Sequence, residues 1–373
     1  MGLEKEILHV QQHYKKFIFS GHRGCGKTAE LRRIEKKVIA PGTYLPVFVA
    51  LEDEVNLSQF KGEDFYVLLI IRLIEIIREY NLSVKTRPLQ YLSDAILEKN
   101  EIVTELKTTL KNEVKGEISA GVNFFEILKS RFSLKAIFSG ETRTSEFIRR
   151  EVNENLLRVI QDMNVYMEQV RKALETEKVA QDLLFIIDGS EKISFEVYQS
   201  LFIRGASMIR EVAANMIIAV PIDAFYRIMD APTASYDATI TVPMIPLDKP
   251  EANTVFKELL GKRIQLDLFF EDEALEYLIK FSGGCVRQLL HLVSESIRIT
   301  RGQKVGRPHA EKAVDRLGDQ KLELLNSEHL KLLREGAFHP GDTLTQELLY
   351  SLTLLKYNGP SSIRINPLLE GKI

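Results

Sequence analysis

The chain has 373 residues, 45% of them hydrophobic and 27% charged, an ordinary balance for a globular protein with a substantial core. A net charge of −2 gives no global basic field to draw nucleic acid or an anionic membrane, so any such contact has to be local. Two cysteines, Cys25 and Cys285, are too few for a disulfide framework or a thiolate metal cluster and suit a reducing compartment.

Residues 1–15 read as a short helix. Their opening run, Met1-Gly2-Leu3-Glu4-Lys5-Glu6, lacks the pattern of a secretory signal, so the expected location is cytoplasmic. An apolar run then feeds Gly21-His22-Arg23-Gly24-Cys25-Gly26-Lys27-Thr28, and a helical pattern begins at Ala29. Strand, glycine-rich turn and helix in that order form the setting a phosphate-binding loop requires. Glycines let successive backbone N–H groups turn inward around a phosphate, and the helix adds the positive end of its dipole. The loop from Gly21 to Ala29 is therefore expected to hold a nucleoside triphosphate, with Lys27 reaching the β- and γ-phosphates and Thr28 ligating Mg2+.

Pro41-Gly42 marks a turn, followed by an expected strand over 44–51 and a helix over 60–80. Within that helix the apolar run 65–77 is broken by Arg72 and Glu75 and is too short to span a bilayer. Residues 81–180 form an insertion, helical by period over 96–110 and 147–174. A β-hairpin arm is expected within 117–138, where Phe132, Leu134, Ala136 and Phe138 alternate with other side chains. Its 16 Lys/Arg against 15 Asp/Glu suggest a helical arm or partner platform rather than a nucleic-acid clamp.

The run 183–187 is continuously apolar and ends at Asp188, as a central strand covered on both faces should. A helix over 195–212, a strand over 215–220 stopped by Pro221, and a strand over 239–245 follow. Strands alternating with helices predict a parallel, doubly wound α/β core over 1–80 and 181–246. From 247 to 320 the pattern is helical only, with helices over 249–264, 272–281, 286–300 and 309–317. Residues 321–373 then read as a helix from 327, a turn at His339-Pro340-Gly341-Asp342, a helix over 343–355 and a hairpin about Asn358-Gly359-Pro360. That is a winged-helix outline.

A carboxylate at the tip of a buried strand is costly to desolvate unless something offsets the cost. Beside a phosphate loop, Asp188 is offset by the water shell of Mg2+, and Glu191 is placed to orient or deprotonate the attacking water. The remaining histidines show no ligand spacing, so no metal beyond Mg2+ is expected.

The loop and the Asp188 strand resemble the Walker A and Walker B elements of AAA+ and STAND P-loop ATPases. The run 183–191 is similar to the STAND variant, with small Gly189 after the metal-side acid and a second acid at Glu191. Its next position, often acidic, is Lys192 here, and ordinary AAA+ proteins place Glu where Gly189 stands. The helical region resembles an AAA+ lid, and Ser282-Gly283-Gly284-Cys285-Val286-Arg287 is similar to the sensor 2 segment. The resemblance implies that Arg287 contacts the γ-phosphate side of the nucleotide, which suits an arginine in the first turn of a helix. The sensor 1 position departs from the pattern, since the fourth strand ends without a polar residue and Asp223 is the nearest. Arg204, Arg210 and Arg227 are the candidates for an arginine finger.

Proteins of this kind act in bacterial signalling and antiphage defence, frequently beside a separate effector. The resemblance thus implies an ATP-dependent regulatory switch that assembles as a homo-oligomer or with an effector. The alternatives are a DNA-loading AAA+ ATPase of the replication-initiator or transposition-regulator kind, and a module that holds ATP for structural reasons. DNA loading calls for a basic recognition helix, but 343–355 holds Glu347 and no Lys or Arg. Nucleic acid is therefore not the favoured partner, and no membrane partner is expected.

Overall fold

The computed structural model describes residues 13–39, 42–84, 92, 94–95, 98–111, 142–229, 236–249, 251–359 and 362–373. The strands β1 (Lys16–Gly21), β2 (Tyr44–Ala50), β3 (Asp182–Asp188), β4 (Asn215–Pro221) and β5 (Ala238–Val242) form one parallel sheet in the order β2-β3-β4-β1-β5. β2 and β3 pair in parallel from Tyr44 opposite Asp182 to Ala50 opposite Asp188, and β3 pairs in parallel with β4. Every residue of β1 and β4, and every residue of β3 after Asp182, is buried. Successive side chains of a strand point to opposite faces, so unbroken burial means that both faces are covered. The fold is α/β, as the alternation of patterns predicts.

The chain divides into two compact units. The first takes the described residues within Met1–Ile18, Glu30–Val220 and Pro232–Thr239. Its helices include most of α1 (Lys27–Ile39), then α2 (Gly62–Glu79), α3 (Asn100–Lys111), α4 (Arg143–Glu154) and α5 (Leu156–Thr176). α2 packs on β2 and α5 on β3, and both α4 and α5 pack on α2. Phe147, Ile148, Val152, Met163, Met167, Val170 and Leu174 are buried there, so the second half of the insertion is a layer of this unit's core. The hairpin arm expected over 117–138 lies outside the described residues.

The helix expected over 147–174 is two helices. Asn155 leaves the helical well at φ −121° and ψ 26°, and its side-chain amide donates to the Glu151 carbonyl at 3.0 Å. α4 begins four residues earlier than expected, where the Thr142 hydroxyl accepts from the Ser145 N–H at 3.1 Å. The helix expected over 195–212 contains a π-helical stretch, Gln199–Arg204. There the Gly205 N–H reaches back to the Ser200 carbonyl at 2.8 Å, and a Cβ on Gly205 would lie 2.6 Å from that oxygen. A 3.6-residue period cannot disclose a single wide turn. The fully buried Lys16 extends its ammonium to the carbonyls of Val212, at 2.7 Å, and Ala214, and burial lowers it to about 7.

The second unit takes Phe19–Ala29, Pro221–Ala231 and Ile240–Ile373 within the described residues. Its helices include α6 (Ile222–Met229), α7 (Glu251–Gly261), α8 (Asp272–Phe281), α9 (Val286–Thr300), α10 (Arg307–Leu322), α11 (Ser327–Glu335) and α12 (Thr343–Tyr350). β6 (Leu354–Lys356) and β7 (Ile363–Ile365) form the antiparallel wing. Phe256, Leu275, Leu278, Leu289, Leu292 and Val314 build a core among α7 to α10, and α12 packs on α6, α11 and β6. α12 is shorter than the expected 343–355, because Leu352 takes φ 60° and turns the chain into β6. The strand expected over 239–245 also stops early. The Met244 N–H donates to the Lys356 carbonyl and the Ile245 N–H to the Gly284 carbonyl, away from the sheet ladder. Among the described residues no helix is long and apolar enough to cross a membrane.

Candidate nucleotide-binding site

The glycine-rich loop Gly21–Ala29 lies in the second unit with α9 and the winged segment. Gly21 closes β1, and a Cβ there would lie 2.8 Å from the Cys25 sulfur and 3.0 Å from the Val242 carbonyl oxygen. The loop tightens where the Cys25 N–H donates to the His22 carbonyl at 3.3 Å. Gly24 and Gly26 take φ 81° and 101°, conformations that side chains disfavour. Lys27 is only 5% exposed, and its ammonium donates to the carbonyls of Gly21 at 3.0 Å and His22 at 3.1 Å. The turn thus closes around a cation at the N-terminus of α1, and Gly26, Thr28 and Ala29 are exposed there. Bare backbone, an ammonium and a helix N-terminus together suit an oxyanion.

Arg287 is the second residue of α9. Its N–H donates to the Gly24 carbonyl at 3.4 Å, and a Cβ on Gly24 would stand 2.2 Å from the Arg287 Cβ. The helix start therefore lies against the loop, with the Arg287 side chain exposed. Gly284 makes this approach possible: it takes φ 75°, and a Cβ there would meet the Ile245 carbonyl oxygen at 1.9 Å. The buried Cys285 thiol donates to the Arg23 carbonyl at 3.8 Å, while Arg23 sets its guanidinium over the Tyr350 ring at 5.3 Å. Burial raises both the Cys25 and Cys285 thiols, so neither has the low value of a nucleophilic cysteine.

His22, inside the loop, turns its ring away from both solvent and the loop's hollow. It is 1% exposed, with Nδ1 bonded to the Leu349 carbonyl at 3.1 Å and Nε2 accepting the Lys356 N–H at 2.8 Å. Burial pulls the imidazole down to about 3; the Leu349 bond opposes the fall and the Lys27 ammonium adds to it. The Lys356 ammonium turns instead to the Gly359 carbonyl and the Ser362 hydroxyl. Because the folded-state value lies below the ordinary 6.5, the unfolded chain takes up the proton first as pH falls. The stabilisation is complete above 6.5 and is lost as pH falls from there toward 3, by up to about 1.4 kcal/mol per pH unit. Urea unfolding at about pH 7, 5.5 and 4.5 is expected to show a steeper loss in the wild type than in His22→Phe, and equal slopes would contradict this account.

In the first unit, Asp188 ends β3 at 5% exposure and accepts the Gly189 N–H at 3.0 Å on Oδ1. Gly189 takes φ 87°, and the atoms nearest a Cβ there lie 3.7 Å away. Backbone strain, not lack of space, excludes a glutamate at this position, where ordinary AAA+ proteins carry one. Glu191 lies in the short 3-10 turn Ser190–Lys192, half-buried, and Lys192 pairs with Glu52. The Ser190 hydroxyl donates to the Ala219 carbonyl and ties this turn to β4. Asp188 offers hard carboxylate oxygen and Thr28 a hydroxyl, the donor chemistry Mg2+ takes. Among the described residues there is no group of three or more His, Cys, Asp or Glu that could hold a metal.

Asp223 lies in the first turn of α6 at 9% exposure, just past the end of β4. Of the arginine-finger candidates, Arg210 pairs with Asp237 at 2.8 Å and Arg204 is exposed, while the Arg227 side chain lies outside the description.

No protein-family model matches the chain, and no curated protein matches it by sequence. Among solved structures, 99% of this chain is similar to 90% of the Aeropyrum pernix Orc1 protein in complex with DNA, at 12% identity and a TM-score of 0.39. Likewise 98% of it is similar to 89% of Cdc6p from Pyrobaculum aerophilum, at 13% identity and a TM-score of 0.40.

Proposed function

We propose that this chain is a Mg2+-dependent ATPase of the AAA+/STAND kind that works as a switch, coupling nucleotide state to assembly or to a partner effector. The observation that carries this reading is the backbone contact between Gly24 and Arg287, which sets an arginine-bearing helix start against a phosphate loop. The backbone N–H groups from Gly21 to Ala29 hold the phosphates, and Lys27 turns from the loop carbonyls to the β- and γ-oxygens. Thr28 and Asp188 are the residues that would hold Mg2+, which would supply charge neutralisation on the transferred phosphoryl group. Glu191 accepts the proton of the attacking water, and Arg287 senses the γ-phosphate.

The test is Glu191→Gln. It is expected to lower the rate of phosphate release by about a hundredfold or more, within the range of a general base, and to leave ATP affinity within about twofold. Wild-type turnover in this variant would remove Glu191 from the mechanism.

The winged outline favours a second reading, DNA loading. Its charge speaks against it. α12 exposes Thr343, Glu347 and Tyr350, and Glu347 pairs with His329 at 3.1 Å. Duplex binding that weakens steeply with salt would restore that reading.

A further inference from the structure

We infer that His22 couples the phosphate loop to the winged segment, so that nucleotide binding and the attachment of residues 349–357 to the loop oppose one another. This rests on the nucleotide reading of the loop and adds to it how occupancy is reported within the chain.

The two ring bonds define one neutral tautomer, with Nδ1 donating to the Leu349 carbonyl and Nε2 accepting the Lys356 N–H. Leu349 lies in the last turn of α12 and Lys356 ends β6, so one ring bridges the helix and the wing. The main chain of the same residue faces the other way: its carbonyl accepts the Lys27 ammonium at 3.1 Å and the Cys25 N–H at 3.3 Å. Ring and carbonyl share one Cα, and the two ring bonds fix the side-chain torsions, so a turn of the peptide is felt at the ring. When Lys27 leaves the carbonyls of Gly21 and His22 for phosphate oxygens, the His22 peptide is freed to turn inward. Two directional bonds in a dry seat tolerate little displacement, and the ring then loses its register with Leu349 and Lys356.

The attachment has further points in the same unit. The Met244 N–H donates to the Lys356 carbonyl at 2.9 Å, the Tyr357 hydroxyl donates to the Gly283 carbonyl at 2.8 Å, and Tyr350 lies under Arg23. Gly283 takes φ 58°, and a Cβ there would lie 2.4 Å from a Leu355 methyl carbon. The wing thus bears on both the phosphate loop and the Gly-Gly turn that precedes Arg287. By whatever factor a ligand weakens the wing's attachment, the attachment weakens the ligand's affinity.

The experiment compares full-length wild type, His22→Phe and Tyr357→Phe. His22→Phe keeps a ring and removes both nitrogens, whereas Tyr357→Phe loosens the same attachment without touching the loop. Fluorescent ATP-analogue titration with Mg2+ reads affinity, and amide hydrogen exchange over residues 349–357 reads attachment. In the wild type, nucleotide is expected to speed exchange at these amides. His22→Phe is expected to exchange fast without nucleotide and to bind the analogue about tenfold tighter, one step of a typical coupling. Tyr357→Phe is expected to move both readouts in the same direction by a smaller amount. Unchanged or weaker affinity in both variants, or exchange at 349–357 indifferent to nucleotide in the wild type, overturns the coupling. If the wild type binds no analogue, the nucleotide reading falls and the coupling with it; binding without coupling overturns the coupling alone.

Discussion

Lys27→Ala is expected to raise the Kd for Mg-ATP by about a hundredfold while the protein stays folded. A hydrogen bond to a charged group is worth about 1.5–3 kcal/mol, which is roughly ten- to 150-fold in affinity, and phosphate contacts use the upper part of that range. The buried ammonium already holds the loop closed through the carbonyls of Gly21 and His22, so its loss also costs the loop some order. Lys27→Arg is not expected to rescue binding. A planar guanidinium does not fit a seat shaped for a compact ammonium between two carbonyls of one turn. Isothermal titration with Mg-ATP measures the loss, with far-UV circular dichroism as the folding control. Affinity within a few-fold of wild type in a folded Lys27→Ala protein would end the phosphate-loop assignment.

The largest expected change in stability belongs to Arg149. Its Nε and Nη2 donate to the two carboxylate oxygens of Asp64 at 2.8 and 2.7 Å, and Nη2 also reaches the Gln59 carbonyl at 3.0 Å. The Arg149 and Asp64 side chains are 5% and 1% exposed, so solvent does little to screen the pair. Asp64 also accepts the Lys61 N–H at 3.0 Å and so caps the start of α2. Arg149→Ala leaves that carboxylate buried beside an empty space. Breaking a buried pair from one side costs about 3–5 kcal/mol, because the remaining charge is uncompensated. The double variant Arg149→Met with Asp64→Leu is expected to lose less than Arg149→Ala, although it also removes the cap. Urea denaturation of the three proteins measures the difference, and a loss below about 1 kcal/mol for Arg149→Ala would show that the pair contributes no more than a surface contact.

The turn of the glycine-rich loop was legible because its constraints are local. The glycine spacing, the lysine and the flanking strand and helix all fall within 16–39, and each constraint acts between near neighbours along the chain. The continuous apolar run before Asp188 likewise announced a covered strand, because burial on both faces needs no knowledge of what does the covering. Element ends were less legible where the chain answers to distant partners. Residues 243–245 leave the strand for Lys356 and Gly284, and a hydropathy period contains no trace of those bonds.

His22 shows the boundary most clearly. Its place in the loop follows from spacing alone, but its neutral, fully bonded ring depends on partners 327 and 334 residues further along the chain. The fit between Gly24 and Arg287 is of the same kind. Each residue stands out within its own segment, but the clash that a Cβ on Gly24 would make with Arg287 is defined only when two segments over 260 residues apart are packed together. Backbone conformation and strand burial are set by neighbours within a few positions, so the chain order of residues determined the glycine-rich turn and the α/β class. The attachment of loop, Arg287 helix and wing depends on close packing between remote segments, and that only the tertiary structure decided.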